Sequence, residues 1–567
     1  MATTPLPDDA APFLDAGWDD IQPHYDHLAT CPLDLASIET WLARWSRLTE
    51  LLTEAAAQVY FDYTSDTADP AKEAAHLRYA GEIVPRAGEQ EVRLAARLLD
   101  LGYTRPELET MARRFRNQRE IFREENVPLL GELERLSSDY LRVTGAMTAE
   151  WEGEQVPVPR LLPHLELPDR EIRERAFRAL YRPYIQQRDE LATIFDAMLE
   201  KRQRVARNAG FDSYRDFAHR EKHRFDYTPA DCVRWHDAVE TAVVPALARI
   251  RERRWSRTGV AALRPWDLAQ DPDGRPPLRP FKNAAELIPV ASRAFDRLSP
   301  ELGGQFRLMA GDGLLDLDSR AGKAPGGYCN ELPVRRRPLI FMNAVGVQND
   351  VEVLFHESGH CFHAFATFGI EPCFQRLPGS EMAELASMSM ELLGAPFWAA
   401  SEGGFYADAE YRRARIEHLE GIVTILPHVA SVDGFQHWLY TDSAASDRDA
   451  RDAAWLRIRS RFDPVTDWSG LDAERAARWH YQNHFFTVPF YYIEYGLAQL
   501  GALQVWRNAL QDPERALRDY RRALALGATR SLPELYGAAG ARLLFEPEPM
   551  ADLIALIERE IERLEAG

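Results

Sequence analysis

The sequence predicts a mainly helical, two-part protein with a small β-sheet placed just before one polar helix. Three observations carry this expectation. Apolar residues recur at helical spacing over most of the chain. Strand-like wording is confined to short stretches near 145–162 and 313–343. The chain has 567 residues, more than one simple core accommodates, so two or more packed parts are expected.

The elements follow in order. From Ile38, apolar residues fall at Trp41, Leu42, Trp45, Leu48 and Leu52, one buried helix face. Segments 72–100, 105–140, 168–208 and 229–255 read the same way. GAMTAEWEGEQVPVPRLL (145–162) alternates weakly around turn residues, and 263–281 is a loop crowded with Pro, Asp and Gly. Between 313 and 343, LLDLDSR, GGYCNEL and RPLIFMN read as short strands separated by Gly and Pro. The C-terminal PMADLIALIEREIERLEAG is an amphipathic helix with Pro549 near its start. There is no internal repeat and no low-complexity tract.

Composition narrows the function classes. The chain is 46% hydrophobic and 28% charged, ordinary for a globular protein. A net charge of -20 argues against nucleic acid as a partner, since phosphate backbones need clustered Lys and Arg. The basic runs Arg251–Arg254 and Arg335–Arg337 are too short to reverse this. The five cysteines, Cys31, Cys232, Cys329, Cys361 and Cys373, are scattered and form no CxxC, so no disulfide framework is expected. The N-terminus lacks a signal-peptide pattern, and no run approaches the roughly 20 apolar residues of a membrane span. A cytoplasmic setting without a membrane partner is expected; the oligomeric state is left open.

The chemistry centres on FHESGHCFH, residues 355–363. Residues i and i+4 share one helix face, so His356 and His360 can aim two imidazoles at one ion. Glu357, rotated by about 100°, misses the ion but reaches an attacking water, as a general base must. Asn349 or Asp350 is the expected N-cap. Gly359 weakens the helix by about 1 kcal/mol, which suggests close packing or substrate approach. A catalytic zinc takes three protein ligands and keeps one position open. The third is expected from EMAELASMSMELL (381–393), with Ser380 as N-cap: Glu384 as ligand, and Glu391, two turns on, as the acceptor that orients a histidine. His363 reads as a packed histidine rather than a fourth ligand.

WHYQNHFFTVPFYYIEYGLAQLGALQVW (479–506) is, on its own, most simply an aromatic core helix. Its polar tips allow a second reading. His484, Tyr492 and Tyr495 could donate hydrogen bonds to the oxyanion formed in peptide hydrolysis, with Tyr491 more packed.

Together HESGH, AELAS and NHFFTVPFYYIEYG resemble the thimet oligopeptidase family of zinc metallopeptidases, in particular its bacterial oligoendopeptidase F-like branch. GGYCNELPVRRRPLIFMN, TGAMTAEW and ARNAGFDSYRDF (206–217) are similar to that family as well, so the likeness covers most of the chain, strongest over about 140–545. The resemblance implies a helical two-part metallopeptidase with a deep central channel that admits short unstructured peptides. It implies one Zn²⁺ per chain held by His356, His360 and Glu384, with Glu357 activating the water. It implies that His484 and a tyrosine of 491–495 bind the substrate carbonyl, and that the strand near 327–343, with Gly327 and Tyr328, holds the peptide backbone. Three departures stand out, the first being that the tyrosine spacing over 491–495 differs slightly from that of both branches. FFTVPF carries no glycine where thimet-type members have a glycine-rich loop, and Met388 disfavours a thermolysin-like acid at that position.

The expected division is an N-terminal helical region, 1–140, and a catalytic helical region, 141–567. The expected activity is zinc-dependent cleavage of internal bonds in short oligopeptides. Two rivals remain. A zinc carboxypeptidase or dipeptidase would use Arg335, Arg336 or Arg337 to grip the terminal carboxylate. A non-catalytic peptide-binding protein would not need Glu357.

Overall fold

The computed structural model describes residues 5–103 and 105–566. The chain is mainly helical, as the apolar periodicity requires. The helices that position the functional groups are, in chain order, α1 (Ile38–Ser65), α2 (Tyr214–Glu221), α3 (Pro229–Ala242), α4 (Gln348–Thr367), α5 (Ser380–Gly394), α6 (Asp408–Thr441) and α7 (Tyr492–Gln511). The strands are β1 (Thr148–Trp151), β2 (Glu154–Pro157), β3 (Leu315–Asp318), β4 (Tyr328–Leu332) and β5 (Arg337–Ala344). Both expected strand regions form sheet, and 263–281 is irregular apart from one 3₁₀ turn.

The chain folds into two compact units, each built from three segments. The first comprises 1–120, 278–414 and 501–543; the second comprises 121–277, 415–500 and 544–567. The first unit therefore holds the N-terminal helices together with the HESGH helix.

In the first unit, α1 buries Trp41, Trp45, Leu48 and Leu52 against Phe115 and neighbouring helices. A three-stranded sheet has the order β3-β5-β4. β3 runs parallel to β5, and β4 pairs antiparallel with it from Tyr328↔Phe341 to Leu332↔Arg337. β5 is the central strand, and Leu339, Ile340 and Phe341 are fully buried, as a strand covered on both faces requires. β4 lies at the sheet edge. The chain leaves β5 at Ala344 and turns into α4. The Asp350 carboxylate accepts the backbone N–H groups of Val345, Gly346 and Val347 at 2.8–2.9 Å. The helix thus starts at Gln348 with Val347 as N-cap, two to three residues before the expected cap; Asp350 acts from inside the first turn. α5 likewise has Gly379, not Ser380, as N-cap.

In the second unit, β1 and β2 form a hairpin from Thr148↔Pro157 to Trp151↔Glu154. Its core gathers Phe177, Phe195, Phe435, Trp455, Trp479, Phe485 and Phe486. Arg173 is buried and pairs with the buried Asp267 at 2.9 Å; Arg170 adds a second bond at 2.8 Å.

Candidate functional site

α4 and α5 pack in close contact in the first unit, and Gly359 explains how. A Cβ there would lie 2.6 Å from Ser387 Cα and 2.8 Å from the Ala386 carbonyl oxygen. Only glycine permits this approach, so the residue that weakens the helix is the one that lets α5 come close. The contact brings Glu384 onto the face shared by the two histidines.

There, His356 Nε2 is 3.3 Å and His360 Nε2 is 3.7 Å from Glu384 Oε2. The donor atoms of all three residues lie within 4.8 Å of one another. Glu391 Oε1 accepts from His356 Nδ1 at 2.7 Å, which orients the ring so that Nε2 faces Glu384. Burial works against an imidazolium at His356, yet Glu384 and Glu391 outweigh it and hold this group well above its ordinary value. Burial wins at His360, which is pushed down to about 4. Two imidazole nitrogens and a carboxylate thus converge where the field favours positive charge. This donor set fits a borderline divalent cation such as zinc.

Glu357, the next residue on α4, is buried, 8% exposed. Burial pushes its carboxyl up to about 7; His356 pulls it down, and Glu384 raises it. The backbone N–H of Cys329, on β4, donates to this carboxylate. Sequence reasoning missed that link. No side-chain pattern could have disclosed it, because the group is a main-chain donor placed by strand register. Cys329 Sγ also lies 3.3 Å from Cys361 Sγ, with both thiols free. His363 is buried and packed, 6% exposed.

Gly327 precedes β4 and is exposed. Tyr328 is half-buried, its ring stacked on Phe341 with centroids 4.9 Å apart and its hydroxyl 2.6 Å from Thr64 Oγ1. Of the three arginines that an exopeptidase would use, Arg335 bonds Glu54 at 2.8 Å and Arg337 bonds Asp312 at 2.8 Å. Arg336 sits at a turn with φ 52.

The second unit gathers the other expected residues. His484 opens a four-residue helix, His484–Thr487. Its ring stands edge-on to Tyr492, with centroids 4.6 Å apart, and Tyr492 lies 5.6 Å from Tyr495. Tyr491 lies 5.0 Å from Tyr495. The Gln482 amide donates to His484 Nδ1 at 2.8 Å and to the Tyr492 hydroxyl at 3.0 Å, so it ties the two together. Burial pushes His484 down to about 4, which keeps it neutral near pH 7, and raises Tyr492. His428, from α6, joins the same group through Gln482 Oε1 at 3.2 Å. Gln482 and His428 were not anticipated; a lone Gln and a lone His on a polar-apolar helix carry no sequence signal.

The glycine-free FFTVPF turn is pinned from both flanks. Buried Arg202 donates to the Phe485 and Phe486 carbonyls at 2.7 and 2.5 Å. Phe490 adopts φ 62, a region costly for a side chain of this size. The Gln436 side chain accepts from its N–H at 2.5 Å, and Arg224 donates to its carbonyl.

Comparisons with known proteins bear on the family and the fold. The model of peptidase family M3 matches residues 164–552, which include every residue named above from both histidines of HESGH to Tyr495. Oligopeptidase PepF of Bacillus subtilis (strain 168) is 22% identical over 415 residues, 71% of this chain and 58% of that protein's length. Among solved structures, PZ peptidase A with inhibitor 2 superposes with a TM-score of 0.88 at 27% identity, covering 97% of this chain and 98% of that one. A candidate oligoendopeptidase F from Bacillus anthracis str. Ames gives 0.83 at 25% identity, covering 97% and 96%. The mainly helical fold, the HESGH helix with its returning glutamate, and a family match spanning most of the chain place this protein in peptidase family M3.

Proposed function

We propose that the chain is a cytoplasmic zinc endopeptidase that hydrolyses internal bonds of short, unstructured oligopeptides. The observation that carries this is the convergence of His356, His360 and Glu384 donor atoms beside the buried carboxylate of Glu357. His356, His360 and Glu384 would hold the Zn²⁺, which when bound supplies a Lewis acid for the scissile carbonyl and its attacking water. Among the described residues, no helix is long and apolar enough to cross a membrane.

Glu357 takes the proton from the attacking water and passes it to the leaving amine. The Cys329 N–H holds the carboxylate in place, and burial makes it a stronger base than an exposed glutamate. Glu391 keeps the His356 ring oriented so that it presents Nε2. β4, as an edge strand, offers main-chain groups to an extended peptide beside Gly327 and Tyr328. His484, Tyr492 and Tyr495 serve as neutral donors to the developing oxyanion, with Tyr491 at the margin of the group. Their support is the compact half-buried cluster around Gln482. With Arg335 and Arg337 engaged by Glu54 and Asp312, the reading as a carboxypeptidase loses two of its three grips.

Mass spectrometry of products from end-blocked peptides of graded length, with zinc present, tests the proposal. Internal cleavage of short peptides and sparing of long or folded ones is expected. Cleavage confined to free-ended peptides would reject an endopeptidase.

A further inference from the structure

A second cluster of ligating side chains lies in the second unit and has no part in the chemistry above. His219 is on α2, Cys232 on α3 and His437 on α6. All three are buried; Cys232 is 0% and His437 6% exposed. Their ligand atoms lie within 4.8 Å of one another, the same proximity that brings His356, His360 and Glu384 together. An ion with metal–ligand bonds of about 2.0–2.3 Å sets tetrahedral ligand atoms roughly 3.3–3.8 Å apart. Small side-chain rotations therefore close the cluster on one ion.

An independent observation points the same way. His219 Nδ1 and His437 Nδ1 are buried without a hydrogen-bond partner. Buried polar atoms rarely go unsatisfied, and two adjacent imidazoles in that condition are costly for a core. A shared cation satisfies them. Asp433, one turn before His437 on α6, sits 3.3 Å from His437 Nε2. It also accepts from His236 Nε2 at 2.8 Å. This is the arrangement in which a carboxylate orients one ring nitrogen while the other ligates. Charge also balances. A Cys232 thiolate and the Asp433 carboxylate offset a divalent ion. Arg224, 3.4 Å from His219 Nε2, is paired with Glu494 at 2.6 Å.

We propose that His219, Cys232 and His437 form a second, buried site for a thiolate-ligating transition-metal ion, Zn²⁺ foremost, distinct from the HESGH centre. Binding breaks the Cys232 S–H bond, forms a metal–sulfur bond and releases one proton to solvent; nothing is oxidised or reduced. The site is placed to cross-brace α2, α3 and α6 within their own unit.

The two centres differ in one spectroscopic respect: only the second contains sulfur. The test uses the full chain with His360→Ala, which disables the HESGH centre and leaves the second unit untouched, produced in cobalt-supplemented medium. About one cobalt per chain is expected, with a thiolate-to-cobalt charge-transfer band in the near ultraviolet. The added substitution Cys232→Ser should abolish both. His437→Gln, added to a separate His360→Ala chain, should lower cobalt content at least tenfold. A His360→Ala chain with less than about a tenth of an equivalent of cobalt, or one equivalent without the thiolate band, would overturn the proposal. Because the deciding readout is made with Cys232 and His437 intact, it stands even if their variants fold poorly.

Discussion

Replacing Gly359 with alanine sets two opposing effects against each other, and the structure decides between them. An alanine in mid-helix is favoured over glycine by about 1 kcal/mol. Here the new Cβ would meet Ser387 Cα at 2.6 Å, the Ala386 oxygen at 2.8 Å and Met390 Cβ at 3.0 Å. Ordinary carbon contacts sit near 3.5–4.0 Å, so α5 must retreat by roughly 1 Å. Two of the three obstacles are backbone atoms, which no side-chain rotation can clear. Overpacking of this kind costs about 1–3 kcal/mol, so after the helix-propensity gain the net effect is a loss of up to roughly 2 kcal/mol.

The retreat also carries Glu384, three residues before Ser387, away from the two histidines. Metal sites tolerate about 0.2 Å, so affinity should fall on the order of 10–100-fold. Zinc competition against a chromogenic chelator measures this, with far-ultraviolet circular dichroism confirming helix content. Gly421→Ala is the control: it lies in α6 with nothing within 4 Å of its Cβ position, so it should be neutral or stabilising. A Gly359→Ala chain that binds zinc and melts like wild type would refute the account of how α4 and α5 assemble the site.

Other outcomes follow from the same contacts. Glu391→Ala should weaken zinc binding about 10–100-fold by releasing His356 Nδ1, with Glu391→Gln closer to wild type; calorimetric titration checks both. Arg202→Met leaves the Phe485 and Phe486 carbonyls without their donor at about 1–3 kcal/mol each, so melting temperature and turnover should fall while metal content stays constant. Burial raises the Asp267 carboxyl, but Arg170 and Arg173 outweigh it and hold it below the usual carboxylate range. Its stabilisation is complete above about pH 3.9 and is lost as pH falls through the lower folded value. Asp267→Asn should remove this acid-side loss and cost about 3–5 kcal/mol at pH 7, because it strands buried Arg173; denaturant unfolding at pH 3–7 reads both.

The helical character, the strand triplet at 313–343 and the joint geometry of His356, His360, Glu384 and Glu391 were legible because each rests on local periodicity or short spacing. An i, i+4 pair and a helix that returns after a Pro-Gly break leave little freedom. Helix starts were less legible. Asp350 reads as an N-cap from its type, but it closes the turn from the third helical position, a choice made by the chain leaving β5. The assembly of each unit from three distant segments is set by which apolar faces find one another, and a linear pattern does not encode that. Main-chain contributions such as the Cys329 N–H, and convergent side chains such as Gln482 and His428, depend on register between elements. The same holds for His219, Cys232 and His437, whose separation in sequence hides their proximity.

The central claim is that Glu357 moves the proton in hydrolysis at a metal centre formed by His356, His360 and Glu384. The most direct test is single-turnover hydrolysis of an end-blocked, internally quenched short peptide by wild-type and Glu357→Gln chains of matched zinc content. The account predicts internal cleavage by wild type, and a rate several orders of magnitude lower for Glu357→Gln with zinc affinity retained. Comparable rates for the two chains, or a blocked peptide left whole by wild type, would contradict it.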